Sequence, residues 1–270
     1  MNGVSDIPVR PGLVSVSFRK LPPREVADLA VRAQLEGIEW GGDIHVPHGD
    51  TARAREVAAL TRDAGLAVAA YGSYYRVGQS ERDGLGFGRV LDTALALGAP
   101  LIRVWTGAKG SATTDAAARA HIVAESRRIA AEAARQGVAV AFEYHANTLT
   151  DTNESAAALL AATADAGMRA YWQPPSGWTF VQQERALRAM LPFLANVHVY
   201  HWIDGERRPL AEGAAPWTAF LAAVGGEPRW ALLEFVRGDD PGQLLDDATT
   251  LRRWLTAATM QQTEHIAGKE

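Results

Sequence analysis

The chain contains no cysteine. Disulfide frameworks, thiolate metal sites and cysteine nucleophiles are therefore excluded. It has no apolar run long enough to span a bilayer. It also lacks any cluster of Lys and Arg. The 27 basic and 31 acidic residues are mixed along the chain and give a net charge of -4, which argues against nucleic-acid binding by phosphate neutralisation. Residues 1–10 are polar, include Pro8, and have no apolar core of signal-peptide type. The tail, residues 261–270, is polar and expected to fray. These absences lead us to expect a cytoplasmic protein with no membrane or nucleic-acid partner.

What is present is an ordinary globular composition. Of 270 residues, 47% are hydrophobic and 21% charged, enough for a large core. Two kinds of segment alternate from end to end. Short β-prone runs fall at 13–18, 37–40, 67–71, 101–105, 138–143, 169–173, 196–202 and 230–236. Between them lie Ala/Leu/Arg/Glu-rich stretches of helical period, clearest at 22–36, 51–64, 85–97, 115–136, 154–166 and 241–258. Asp50-Thr51, Thr113-Thr114-Asp115 and Asn153-Glu154 read as helix starts. Gly37, Gly65, Gly98, Gly137 and Gly167 stand where helices should stop.

Helix, glycine, then a near-continuous apolar strand is the signature of right-handed βαβ units with parallel pairing. Eight such units in this length predict an α/β fold, a single closed (β/α)8 TIM barrel over about residues 13–258 with polar tails. A doubly wound sheet fits less well. It would usually carry a Gly-rich phosphate turn after its first strand, where this chain has Ser17-Phe18-Arg19-Lys20. The loop Gly107-Ala108-Lys109-Gly110-Ser111 loosely resembles a phosphate loop but lacks the full spacing.

In such barrels chemistry gathers at the C-terminal strand ends. Here those ends carry most of the polar and aromatic residues, while the opposite turns hold mainly Gly, Ala and Pro. Glu143 ends the run Val138-Ala139-Val140-Ala141-Phe142, and Glu234 ends another apolar strand. A carboxylate at a buried strand tip is costly without a cation, a partner or a task. Four consecutive strands offer Glu143, Gln173, His198 and Glu234. Together they make a donor set for a hard or borderline divalent ion such as Mn2+, Mg2+ or Co2+. The structural alternative for the carboxylates is pairing with an arginine, such as Arg103 or Arg237. For His198 it is a satisfied core histidine. Candidates for substrate contact are His45 and His48 after the second strand, Tyr74 after the third, and Arg103 and Trp105 on the fourth. His145 after the fifth strand, Trp172 on the sixth and Arg208 after the seventh complete the set. Tryptophans at these ends could stack on sugar rings, cover the barrel mouth or contact another subunit. Arg208 could hold a substrate phosphate.

With these motifs in hand, the chain resembles the xylose-isomerase-like TIM-barrel superfamily of sugar (phosphate) isomerases and epimerases. The carriers are the second-strand Gly37-Ile38-Glu39-Trp40, Glu143, the seventh-strand Val197-His198-Val199 and the eighth-strand Leu232-Leu233-Glu234-Phe235. In the ketose 3-epimerase-like branch, Glu, Asp, His and Glu on strands five to eight hold one divalent metal, and the two Glu residues exchange the substrate proton. The resemblance thus implies Glu143 and Glu234 as acid and base, with His198 beside them. It departs at Gln173, where the family usually has Asp, and at Ser176, where it has His. Gln supplies a neutral oxygen, so the site loses one negative charge. Isomerisation or epimerisation of a sugar through an enediolate is the activity implied. A lyase or hydrolase on the same barrel, and a metal-free sugar-binding descendant, are the rivals. Phosphodiester cleavage, as in the endonuclease branch, needs more His and Asp ligands than 7 histidines and an acidic chain suggest. A small carbohydrate is the expected partner, and exposed aromatics are compatible with a homodimer.

Overall fold

A computed structural model describes residues 9–225 and 227–267. Residues 1–8 and 268–270, which belong to the two polar tails, lie outside that description. In chain order the strands and helices are β1 (Val9–Val14), α1 (Pro23–Arg32), β2 (Gly37–Gly41), α2 (Thr51–Asp63), β3 (Ala67–Val77), α3 (Phe87–Leu97), β4 (Leu101–Thr106) and α4 (Ala116–Ala134). The second half continues with β5 (Ala139–Glu143), α5 (Asn153–Thr163), β6 (Arg169–Trp172), α6 (Phe180–Met190) and β7 (Leu194–Val199). A small hairpin, β8 (Trp202–Ile203) and β9 (Glu206–Arg207), follows, then α7 (Ala214–Val224), β10 (Arg229–Leu233) and α8 (Pro241–Ala267). Strands β1 to β7 and β10 close into one parallel barrel, with β10 pairing both β7 and β1. The barrel expected from the alternating pattern is the fold.

Several boundaries differ from the sequence reading. The first strand begins earlier, at Val9, and residues 15–18 form a 3-10 turn instead of strand. Pro11 and Gly12, which read as breakers, sit inside the strand opposite Ala231 and Leu232. The seventh barrel strand stops at Val199, and the chain leaves it for the hairpin. The last barrel strand stops at Leu233, and Phe235 takes a left-handed backbone with φ 54°. At the C-terminus, α8 runs on to Ala267, beyond the expected 258.

Strand parity sorts the side chains. On β5, Val140 and Phe142 point out to the helices and Ala141 and Glu143 point in. On β7, Val197 and Val199 point out and His198 points in. The outward set joins the helices in the main core, with Trp172 packed on Trp217 and Phe220. The barrel's lower interior is plugged by Ala69, Ala70, Leu101, Ala141, Tyr171 and Leu232. Small residues on β3 and β5 leave room there for larger groups from β4 and β6.

Gly37 serves this packing and is not a helix cap. A Cβ there would lie 2.6 Å from the Trp230 ring and 2.9 Å from the Ala67 carbonyl oxygen. The left-handed turn after α1 falls instead at Gln34, φ 53°.

Candidate active site

Above the plug lies a layer of charge. Arg103 on β4 is fully buried, at 1% exposure. Its Nε donates to Glu39 Oε1 of β2 at 2.7 Å, and its Nη1 donates to Glu143 Oε2 of β5. Gly72 makes this contact feasible, because a Cβ at that position would lie 2.7 Å from both Arg103 Nη2 and Glu39 Oε1. Glu143 also accepts from Trp105 Nε1 on Oε2, and from Gln173 Nε2 on Oε1 at 3.1 Å. Gln173 uses the same amide nitrogen to donate to the Tyr144 carbonyl at 2.9 Å.

His198 is the second centre. Its Nδ1 lies 3.4 Å from Gln173 Oε1, 3.7 Å from Glu143 Oε1 and 3.3 Å from Glu234 Oε2. Its Nε2 lies 3.4 Å from Glu39 Oε2. The four residues read from successive strand ends therefore do converge. They are joined by Glu39, which the sequence reading named in its motif but gave no role. It is buried in the middle of β2 and bridges Arg103 and His198. The signal was available, since Glu39 also follows an apolar strand residue, Ile38.

The charges perturb one another. Burial would raise the Glu39 carboxyl, but the adjacent Arg103 and His198 charges hold it at a pKa of about 2. Glu143 is likewise held well below the usual carboxylate range, with burial opposed by Arg103 and His198. Burial would lower the pKa of His198. The charges of Glu234 and Glu39, with hydrogen bonds to Glu143 and Glu234, instead raise it well above the ordinary imidazole value. Three buried carboxylates thus share one guanidinium and one imidazole.

A divalent ion suits this group in donor chemistry and in charge. Gln173, Glu143 and Glu234 offer hard oxygens beside the His198 Nδ1, and Glu234 Oε2 is buried 3.3 Å from that nitrogen. With His198 neutral, as ligation requires, and Arg103 matched with Glu39, two carboxylate charges remain, which a dication would balance. Among the described residues no group of three or more His, Asp or Glu stands in the arrangement of a metal centre. The carboxylates are turned toward Arg103, Trp105 and His198.

A cleft of about 400 Å3 opens over this layer. Gln173 lies in its wall with Tyr144, His145, Trp178, Tyr200 and Phe235. Glu143 and Glu234 immediately precede the wall residues Tyr144 and Phe235. Two non-glycine residues near the charged layer hold left-handed backbones, Tyr74 at φ 56° and Phe235 at φ 54°. Such conformations cost about 1–3 kcal/mol each and concentrate at functional sites.

The expected substrate contacts separate into two groups. Arg103, Trp105, Tyr74 and His145 belong to the site. The Tyr74 ring lies 4.9 Å from the Arg103 guanidinium and 5.2 Å from Trp105, and His145 lies 4.5 Å from Trp105, tilted over it. The other four are placed elsewhere. His45 is buried between Ser15 Oγ and the Leu21 carbonyl, and burial lowers its pKa. His48 donates to the Ser73 carbonyl at 2.6 Å, fixing the loop after β2. Trp172 faces the helices because it adjoins inward-facing Tyr171, so parity places it on the opposite side. Arg208 is exposed and pairs with Glu212 at 3.0 Å.

The family model described as xylose isomerase-like TIM barrel matches residues 27–256. Comparison with curated proteins returns no match. Several solved structures share the fold. A probable 3-DHS dehydratase, AsbF, of Bacillus anthracis superposes with a TM-score of 0.68 at 19% identity, covering 90% of this chain and 99% of its own. A xylose isomerase-like TIM barrel protein of Mycobacterium smegmatis, solved with magnesium, gives 0.72 at 14% identity, covering 93% and 97%. A D-psicose 3-epimerase of Clostridium cellulolyticum gives 0.70 at 14%, covering 93% and 99%. At these identities the structures speak for the fold, and the family match speaks for descent. The chain belongs to the xylose isomerase-like TIM-barrel family.

Proposed function

We propose that the protein is an isomerase or epimerase of a carbohydrate, with Glu143 and Glu234 moving a proton on a carbon next to a carbonyl. The observation that carries the reading is the convergence of these two carboxylates on His198 Nδ1, at 3.7 and 3.3 Å, next to the cleft walled by Gln173, Tyr144 and Phe235. Epimerases and a dehydratase are among the structures of similar fold. Removal of such a proton can begin either kind of reaction.

The two carboxylates differ in environment. Glu143 is pinned by Arg103, Trp105 and Gln173. Glu143 is therefore held in orientation, whereas Glu234 Oε2 has the His198 Nδ1 beside it at 3.3 Å. Glu143, Gln173, His198 and Glu234 would hold a divalent ion, Mn2+, Mg2+ or Co2+. When bound, it supplies positive charge against the negative charge that develops on substrate oxygens. Gln173 contributes a neutral oxygen in that set, so its affinity for the ion is lower than with an Asp.

Product analysis on a panel of keto-sugars, with and without added Mn2+, tests the reading. Glu143→Gln and Glu234→Gln are each expected to lower turnover by about 10²–10⁴-fold, the usual weight of a positioned acid or base, with unchanged circular dichroism. Full activity in either variant removes that residue from the reaction.

A further inference from the structure

Beside the cleft that contains Gln173 lies a larger one of about 770 Å3, formed by the β6–α6 loop, the β8–β9 hairpin and the start of α7. The two share Ser176, Trp178, Tyr200 and Trp202, so a single ligand can lie across both. Their chemistry differs. The smaller has His145, Asn147, Asp151 and Gln173 in its wall, and Gln173 is hydrogen-bonded to Glu143. The larger is walled by rings, including Trp178, Phe180, Trp217 and Phe220. Phe180 stacks on Phe220 at 5.5 Å and 28°, yet remains 41% exposed. An open aromatic surface continuous with a polar pocket suits a ligand with one polar and one apolar end.

Two further observations narrow the ligand. No Lys or Arg stands among the described residues lining either cleft, so a substrate phosphate would meet no cation there. In the wall common to both, Trp202 Nε1 is buried without a hydrogen-bond partner. An indole nitrogen is a donor only, which leaves it available to an oxygen joining the two ends of a ligand.

We propose, resting on the carbohydrate reading above, that the substrate is an unphosphorylated sugar bearing a planar aromatic substituent. The sugar occupies the smaller cleft and the aromatic ring the larger one.

Binding to the Glu143→Gln protein, repeated with wild type, tests this without turnover in the readout. The probes are methyl glucoside, 2-naphthyl glucoside, free 2-naphthol and glucose 6-phosphate, followed by calorimetry and tryptophan fluorescence. The naphthyl glucoside is expected to bind at least about 10-fold tighter than methyl glucoside or naphthol, a difference of about 1.4 kcal/mol. Glucose 6-phosphate should gain nothing over the unphosphorylated sugar. Phe180→Ala should erase most of the aryl advantage and leave methyl glucoside affinity unchanged, while Phe180→Trp should keep it. Equal affinity for methyl and naphthyl glucosides, naphthol binding as tightly as its glucoside, or an aryl advantage that survives Phe180→Ala would overturn the assignment. So would a dimer in solution that Phe180→Asp dissociates, because a second copy would then cover the aromatic wall. Aryl binding with no proton exchange on any keto-sugar would sink the proposed chemistry and leave the pocket standing. Turnover of keto-sugars with no aryl preference would do the reverse.

Discussion

Arg103 is the residue on which the charged layer depends. It is buried, reaches two carboxylates, and has one nitrogen, Nη2, without a partner. Removing it would leave Glu39 and Glu143 inside the barrel without their guanidinium. Breaking a buried pair in this way costs about 3–5 kcal/mol. Arg103→Met should therefore lower stability by that amount in urea unfolding, and Glu39→Gln added to it should recover part of the loss. A loss below 1 kcal/mol would mean that the carboxylates find another partner. The arginine was legible in the sequence as a candidate substrate contact and as the alternative explanation of Glu143, a buried ion pair. The structure shows that the alternatives are not exclusive, since Glu143 is both paired with Arg103 and placed beside His198. Glu39 entered the sequence reading only within the Gly37–Trp40 motif and without a role, because its partners Arg103 and His198 come from distant strands. Trp172 was misplaced for a simpler reason. It adjoins the inward-facing Tyr171 on β6, and neighbours on a strand face opposite ways.

Among the elements, those with a clean period and a marked start were readable. The helix α4 begins after Asp115, whose side chain accepts from the Ala118 nitrogen, and α2 after Asp50, which accepts from the Arg53 nitrogen. The clearest helical periods omitted α6 and α7. The first is announced only by the Thr179–Gln182 capping box, and the second begins next to Pro216 and is apolar along most of its length. These two helices, with the hairpin between them, form the aromatic cleft, so the least legible part of the chain carries the proposed specificity. The β1 boundary was missed because residues 1–10 read as a polar tail, although Val9 and Arg10 already pair with Arg229 and Trp230. Gly12 and Gly37 are paired on neighbouring strands, and Gly37 is filled over by Trp230. Gly37→Ala is expected to destabilise by about 1–3 kcal/mol through overpacking, measured by thermal or urea unfolding. A neutral result would show that Trp230 swings aside freely.

For the whole molecule, the barrel brings residues separated by up to 195 positions into one layer, since Glu39 and Glu234 both lie at His198. No pattern within a single segment reveals such a layer. It follows from closure, which the alternation of strands and helices did predict. The proposed ion binds the folded state only, so saturation should stabilise the protein by about 2.7 kcal/mol at 100 times Kd. In a differential scan Mn2+ should raise Tm and EDTA should reverse the rise. Glu234→Gln should reduce the shift without any reference to activity. An unchanged Tm, with no divalent metal in the purified protein, would leave Arg103 and His198 as the layer's own cations. The central claim is the proton transfer by Glu143 and Glu234. Its most direct test is solvent deuterium exchange, followed by NMR on a keto-sugar substrate of the wild-type protein. Deuterium should enter at the carbon next to the carbonyl with wild type and fall at least about 10²-fold in each of Glu143→Gln and Glu234→Gln. Exchange at the wild-type rate in either variant would contradict the account.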